Sequence, residues 1–183
     1  MRKWLIVLIA VLGLSGVSHA QDFTIRFGPS FTLAPDFGFG LEAELNATKI
    51  AQIDSGISLG LNGNLGLGFP GGTVRFGLQL GPTINFDLNR GRGNVFAGLG
   101  LGVFGGGGGG AAFAFGFLAG IDYRVSTPIN LFGRLNLLVV PGFSAGLDLG
   151  ADFSLSRAIA LYGKLSVGFS GTFGLGLGLT FKL

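Results

Sequence analysis

From Phe23 to the C-terminus the chain repeats with a period of two, and no stretch carries the three-to-four spacing of an amphipathic helix. The clearest run is the last, "GTFGLGLGLTFKL", Gly171 to Leu183. There Phe173, Leu175, Leu177, Leu179, Phe181 and Leu183 share one parity, while Gly, Thr and Lys hold the other. Successive side chains of a strand point to opposite faces, so this strand is large and apolar on one face and nearly bare on the other. A soluble core, a stacked fibre and a lipid bilayer are the three solvents that could want such a strand.

Dividing the chain at its turn signals gives ten segments: Phe23 to Leu33, Phe37 to Ala47, Gly56 to Phe69, Thr73 to Leu88, Asn94 to Phe104, Ala112 to Val125, Ile129 to Val139, Phe143 to Leu155, Ile159 to Phe169, and Thr172 to Leu183. They are separated by "APD", "TKIAQIDS", "PGG", "NRGRG", "GGGGGGA", "STP", "VPG", "SRA" and "SG", compositions that turn a chain. Asn62-Gly63 is a strong hairpin dipeptide, but Leu61, Leu65 and Leu67 keep one parity through it, which predicts an unbroken strand. Pro29 and Pro82, in the related stretches "RFGPSFTL" and "QLGPTINF", lack a ladder N–H and predict a bulge or strand end near a rim.

The Leu and Phe face of these ten segments carries no charge. The other face holds twenty glycines with Ser, Thr, Asn and Gln, and its charges balance: Glu42, Glu44, Asp87, Asp122, Asp148 and Asp152 against Arg26, Arg75, Arg124, Arg134, Lys164 and Lys182. The interior of an eight- to ten-stranded barrel cannot hold the whole apolar face, which argues against a water-soluble barrel. A fibre needs neither opposite charges confined to one face nor a turn every dozen residues. Lipid outside and a narrow, Gly-rich, charge-paired lumen inside satisfy both faces. Closure also pairs every backbone N–H and C=O, as hydrocarbon requires. The expectation is all-β: a single closed antiparallel transmembrane up-and-down barrel over residues 21–183, with ten strands, or eight as the alternative count.

Residues 1–20, "MRKWLIVLIAVLGLSGVSHA", read as a cleaved signal peptide, with Arg2 and Lys3, an apolar run from Trp4 to Leu14, and Ser18-His19-Ala20 before Gln21. That run spans only about 16 Å as a helix, half a bilayer. Charged residues are 11% of the chain, too few to cover a water-facing surface. Net charge is +3, of which Arg2 and Lys3 supply two, so nothing favours nucleic acid. Met1, Trp4 and His19 are the only residues of their types and Cys is absent, so the mature chain lacks the usual nucleophile, acid–base and metal side chains. It is expected to be neither an enzyme nor a cofactor binder.

On the leader, the dyad repeat and the final strand "FGLGLGLTFKL", the chain resembles the outer-membrane β-barrel class of Gram-negative-type bacteria, as a small single-domain member. The resemblance implies residence in the bacterial outer membrane with both termini in the periplasm. It also implies outer-membrane lipid, periplasmic chaperones and the barrel-assembly machinery as partners, the last recognising Phe173, Leu175, Leu177, Leu179, Phe181 and Leu183. The class usually ends on an aromatic residue, and here the end is Leu183 with Phe181 two before it. Class members place Trp and Tyr at the interfaces; only Tyr123 and Tyr162 remain here, so Phe is expected to take much of that role.

Other motifs carry less. The Gly-x-Gly run at Gly98 to Gly110 lacks the Lys and Ser or Thr of a phosphate loop and reads as a strand entering a flexible hairpin. "NRGRGN" reads as a solvated turn, and "NAT" at Asn46 to Thr48 as an unused acceptor pattern. Glu42 and Glu44 share a face at acid–base spacing but are expected in salt bridges with Arg26, Arg75 and Arg134. A calcium site from Glu42, Glu44, Asp148 and Asp152 is chemically allowed, and no spacing selects it. Lys49, Arg90, Arg92 and Arg157 fall at the end that holds the termini, a bias the pattern leaves without an account. The loops at the other end are all short, so the expected role is structural and membrane-stabilising, with a small passive porin-like channel as the alternative.

Overall fold

The computed structural model describes residues 23–70, 72–89, 91–107, 109–140 and 142–183. The leader over residues 1–20 and the turn residue Arg90 lie outside the described residues. Ten strands follow one another: β1 (Phe23–Ala34), β2 (Gly38–Asp54), β3 (Ile57–Pro70), β4 (Arg75–Leu88), β5 (Gly93–Gly106), β6 (Gly109–Arg124), β7 (Ile129–Val140), β8 (Ser144–Ser154), β9 (Ile159–Gly168) and β10 (Phe173–Lys182). Each pairs antiparallel with its sequence neighbours, and β10 closes on β1 from Thr24↔Lys182 to Ala34↔Phe173, giving a closed ten-stranded barrel. Closure leaves no sheet edge around the circumference.

Parity sets the faces as the alternation requires. Outside stand Leu and Phe residues such as Leu59, Leu65, Leu67, Leu101, Phe117, Leu149 and Leu177, all exposed. The outward phenylalanines concentrate at the rim that carries the β1–β2, β3–β4, β5–β6, β7–β8 and β9–β10 loops, where Phe37, Phe69, Phe113, Phe143 and Phe169 are exposed and Phe31 packs edge-on to Phe39 at 5.7 Å. The opposite rim holds both chain ends, where Phe23 and Leu183 exchange backbone hydrogen bonds of 3.3 and 2.9 Å.

β3 runs unbroken through Asn62-Gly63. Three local details differ from the sequence pattern. β2 does not end at Ala47: it continues through "TKIAQID" to Asp54, across an irregularity in which the four steps from Ala47 to Ala51 oppose only two steps of β3, so the alternation is interrupted locally and then resumes on the same parity. The chain then reverses in a tight turn at Ser55 and Gly56, the latter at φ 85°. The glycine run at 105–110 is mostly strand, since β5 reaches Gly106 and β6 begins at Gly109. Pro29 and Pro82 cause neither a bulge nor a strand end. Each sits inside its strand with the register continuous, between Phe27↔Leu179 and Ser30↔Gly176 for one and between Leu80↔Leu101 and Thr83↔Gly98 for the other. On the opposite side Pro29 pairs with Leu41 and Pro82 with Leu61, so each proline gives up pairing toward one neighbour only.

Candidate functional site

Among the described residues, buried polar side chains gather in the lumen, in two parts. At its centre Arg26 of β1 reaches three carboxylates: Asp152 (Nε to Oδ1 3.2 Å, Nη2 to Oδ2 2.8 Å), Glu44 (Nη1 to Oε2 3.1 Å) and Asp122 (Nη2 to Oδ1 3.2 Å). Arg134 of β7 grips the same set from the other wall, donating to Glu44 Oε1 at 2.6 Å and to both Asp122 oxygens at 2.9 and 3.0 Å. Thr180 (2.6 Å) and Asn130 (3.3 Å) complete Asp152. The guanidinium carbons lie over aromatic rings, Arg26 at 4.0 Å from the Phe132 centroid and Arg134 at 5.0 Å from that of Phe96. Buried charges persist only when paired and hydrogen-bonded, and these five are.

A second group lies nearer the loop-bearing rim. Lys164 Nζ sits between Glu42 (2.9 Å) and Asp148 (3.2 Å), and the Tyr162 hydroxyl donates to Glu42 at 3.1 Å. This group floors a cavity of about 660 Å³ that extends past Ser30, Gln79, Asn136 and Ser144 to Arg75, Ser170 and Thr172 at the rim. Toward the terminal rim the lumen is filled instead: Phe96, Leu118, Phe132, Asn62, Thr83, Asn85, Asp152 and Thr180 are all buried, none more than 3% exposed. The lumen therefore has a vestibule toward the loop-bearing rim and buried, packed side chains toward the terminal rim.

Eight of the twelve charges expected on the lumen face meet: Arg26, Arg134 and Lys164 with Glu42, Glu44, Asp122, Asp148 and Asp152. The other four stand apart. Asp87 lies 3.9 Å from Lys49, Lys182 donates to Ser154 Oγ at 2.9 Å, Arg75 is at the vestibule mouth and Arg124 is exposed at the terminal rim. The joined set holds five carboxylates against three bases, so the lumen is acidic.

Phe96, Leu118 and Phe132 belong to the site although the pattern assigned apolar bulk to lipid. The signal was in their parity: Phe132 alternates with Asn130 and Arg134, and Phe96 follows Asn94 by two. Their presence explains the glycines. A Cβ on Gly120 would stand 2.5 Å from Phe96 Cζ, one on Gly150 2.4 Å from Phe132 Cζ, and one on Gly178 2.7 Å from Tyr162 Cε1. Gly100 lies under Gln79, and Gly176 under Glu42 and Lys164. At these positions glycine is the floor on which a neighbouring side chain lies flat, rather than open lumen.

No protein-family profile and no curated protein sequence matches the chain. Among solved structures, the outer membrane phospholipase A from Escherichia coli is similar over 89% of this chain and 96% of that one, at 10% identity and a TM-score of 0.50. The fold is that of an outer-membrane β-barrel. The barrel is also similar to the KdgM porin (10% identity, 90% of this chain and 99% of that one, TM-score 0.48) and, spanning 60% of its length, to a loop-deletion form of OmpT, an outer membrane protein of Vibrio cholerae (10% identity, 90% of this barrel's chain, TM-score 0.43). At these identities the likeness concerns the fold alone.

Proposed function

We propose that the chain is an integral protein of the bacterial outer membrane with a structural, membrane-stabilising role and a lumen sealed against solute flow. The observation that carries this reading is the terminal half of the lumen, where Phe96, Phe132, Leu118 and the Arg26–Asp152 pair are all buried. A closed barrel offers lipid a continuous apolar belt and offers solutes nothing to follow. On this reading residues 1–20 are removed during export and both termini face the periplasm. The vestibule then opens outward. Phe173, Leu175, Leu177, Leu179, Phe181 and Leu183, all on the outward face of the closing strand or its end, serve as the signal for the assembly machinery, and no catalytic role is assigned.

A second reading, a small porin-like channel, draws support from the cavity of about 660 Å³ that occupies the other half of the lumen. Planar-bilayer recording on the purified, folded protein separates the two. The sealed barrel gives no unitary steps; steady single-channel current through the wild-type protein overturns it in favour of the channel.

A further inference from the structure

The two rims of the barrel differ in charge. At the loop-bearing rim the described charged residues are Asp36 and Arg75. At the terminal rim are Lys49, Arg92, Arg124, Arg157 and Lys182, against the carboxylates of Asp54 and Asp87 and the chain's own C-terminus. Asp87 is shared with Lys49, and Lys182 has Ser154 as a partner. Arg92, Arg124 and Arg157 have no side-chain partner among the described residues, and all three are exposed.

The backbone sets these cations beside one another. The Arg124 amide donates to the Arg92 carbonyl at 2.8 Å across the β4–β5 and β6–β7 turns, so two guanidinium groups leave adjacent points of the rim. The Lys182 amide donates to the Ala158 carbonyl, also at 2.8 Å, and so brings Lys182 next to the turn that carries Arg157. Like charges placed side by side repel, and an anion between them relieves that repulsion. The same rim carries the exposed apolar residues Phe86, Val125, Ile129, Leu155, Ile159 and Phe181 beside these cations. Cations one step beyond an apolar belt lie at headgroup depth.

We infer that the terminal rim is a binding surface for anionic phospholipid, with Arg92 and Arg124 together holding one headgroup phosphate and Arg157 with Lys182 forming a second, weaker contact. Guanidinium groups suit this role because each presents a planar fork of donors to phosphate oxygens. A basic residue near an anionic surface favours it by about fivefold, and the effect fades within a Debye length of about 8 Å at physiological salt. The inference rests on the membrane reading but is independent of whether the lumen conducts, so a bilayer current leaves it standing.

The test is native mass spectrometry of the folded, detergent-solubilised barrel titrated with dioleoyl phosphatidylglycerol or dioleoyl phosphatidylcholine at equal concentration. The expected result is at least a tenfold preference of the wild-type protein for phosphatidylglycerol, weakened at high ammonium acetate. Arg92→Gln/Arg124→Gln should bring the preference close to parity, Arg92→Lys/Arg124→Lys should keep part of it, and Arg75→Gln at the opposite rim should leave it unchanged. A gel shift on boiling verifies folding of each variant, and for a variant that does not fold the salt dependence of the wild-type protein decides. Equal retention of both lipids, an unchanged preference in the Gln pair, or full competition by millimolar inorganic phosphate overturns the inference, the last by showing a free-anion site.

Discussion

Arg26 on β1 and Asp152 on β8 meet through two parallel hydrogen bonds, Nε to Oδ1 at 3.2 Å and Nη2 to Oδ2 at 2.8 Å, tying together two strands that are separated in the wall by β9 and β10. Neither side chain has an alternative partner in water, since Asp152 is 1% exposed and Arg26 4%. Removing one partner strands the other. Arg26→Met should cost about 3–5 kcal/mol, while Arg26→Met/Asp152→Leu should recover part of that loss. Urea titrations of the barrel in lipid vesicles measure both, and additive losses in the double variant would contradict the coupling.

The glycine floors make a second prediction with an internal control. Gly150→Ala puts a methyl group 2.4 Å from Phe132 Cζ and Gly120→Ala one at 2.5 Å from Phe96 Cζ, whereas nothing lies within 4 Å of a Cβ at Gly66. The first two should destabilise by about 1–3 kcal/mol and Gly66→Ala by much less. Pairing Gly150→Ala with Phe132→Leu should relieve only the ring part of the first, because the Gly163 carbonyl stays 2.6 Å from the new Cβ. The temperature at which the folded band disappears on a detergent gel ranks the four variants.

On the sealed-lumen reading, closure rests on a few side chains. Replacing Phe96, Leu118 and Phe132 together by Ala removes the apolar part of the packed half and should produce a current where the wild-type protein gives none. The joined lumen set carries five carboxylates and three bases, so that current should prefer cations. Reversal potentials under a KCl gradient check the sign; anion preference in the triple variant would show that the lumen charges do not govern permeation.

Leu183 carries a fourth prediction. Its backbone is held to Phe23 by two hydrogen bonds and its side chain is outward and 75% exposed, so its apolar character is available to lipid or to an assembly partner. Leu183→Phe should leave assembly intact, and Leu183→Asp should lower the yield of heat-shifted barrel in outer-membrane fractions several-fold. Equal yields would remove Leu183 from the assembly signal.

Much of this fold was legible in residue parity. The alternation from Phe23 to Leu183 specified the strands and both faces because a slip of one residue would send every Leu inward. The alternation hid the end of β2, where two extra residues between Ala47 and Ala51 interrupt the pattern while the strand continues. The charges were legible as a set but not as a geometry: Arg75 and Arg124 fall on the lumen-facing positions of their strands, as Arg26 does, yet sit at the strand ends, out of reach of the central carboxylates. Phe96 and Phe132 were obscured because residue type was allowed to outweigh position, although each keeps step with polar neighbours two residues away. The glycines followed from that. Without the rings above them they look like space.

The two prolines bear on how the barrel is joined. At Gly28 and Pro29 the β1–β10 seam omits two consecutive pairs, and the β4–β5 interface omits two at Gly81 and Pro82. Gly28 and Gly81 there admit the neighbouring backbone so closely that a Cβ would overlap Leu177 O and Leu99 O respectively. One of these gaps lies inside a hairpin whose strands are already tethered by a short turn. The other lies where the two ends of the chain must find each other after everything else is in place, a closure of maximal loop length. A zip with a missing tooth at that point can form from either side of the gap.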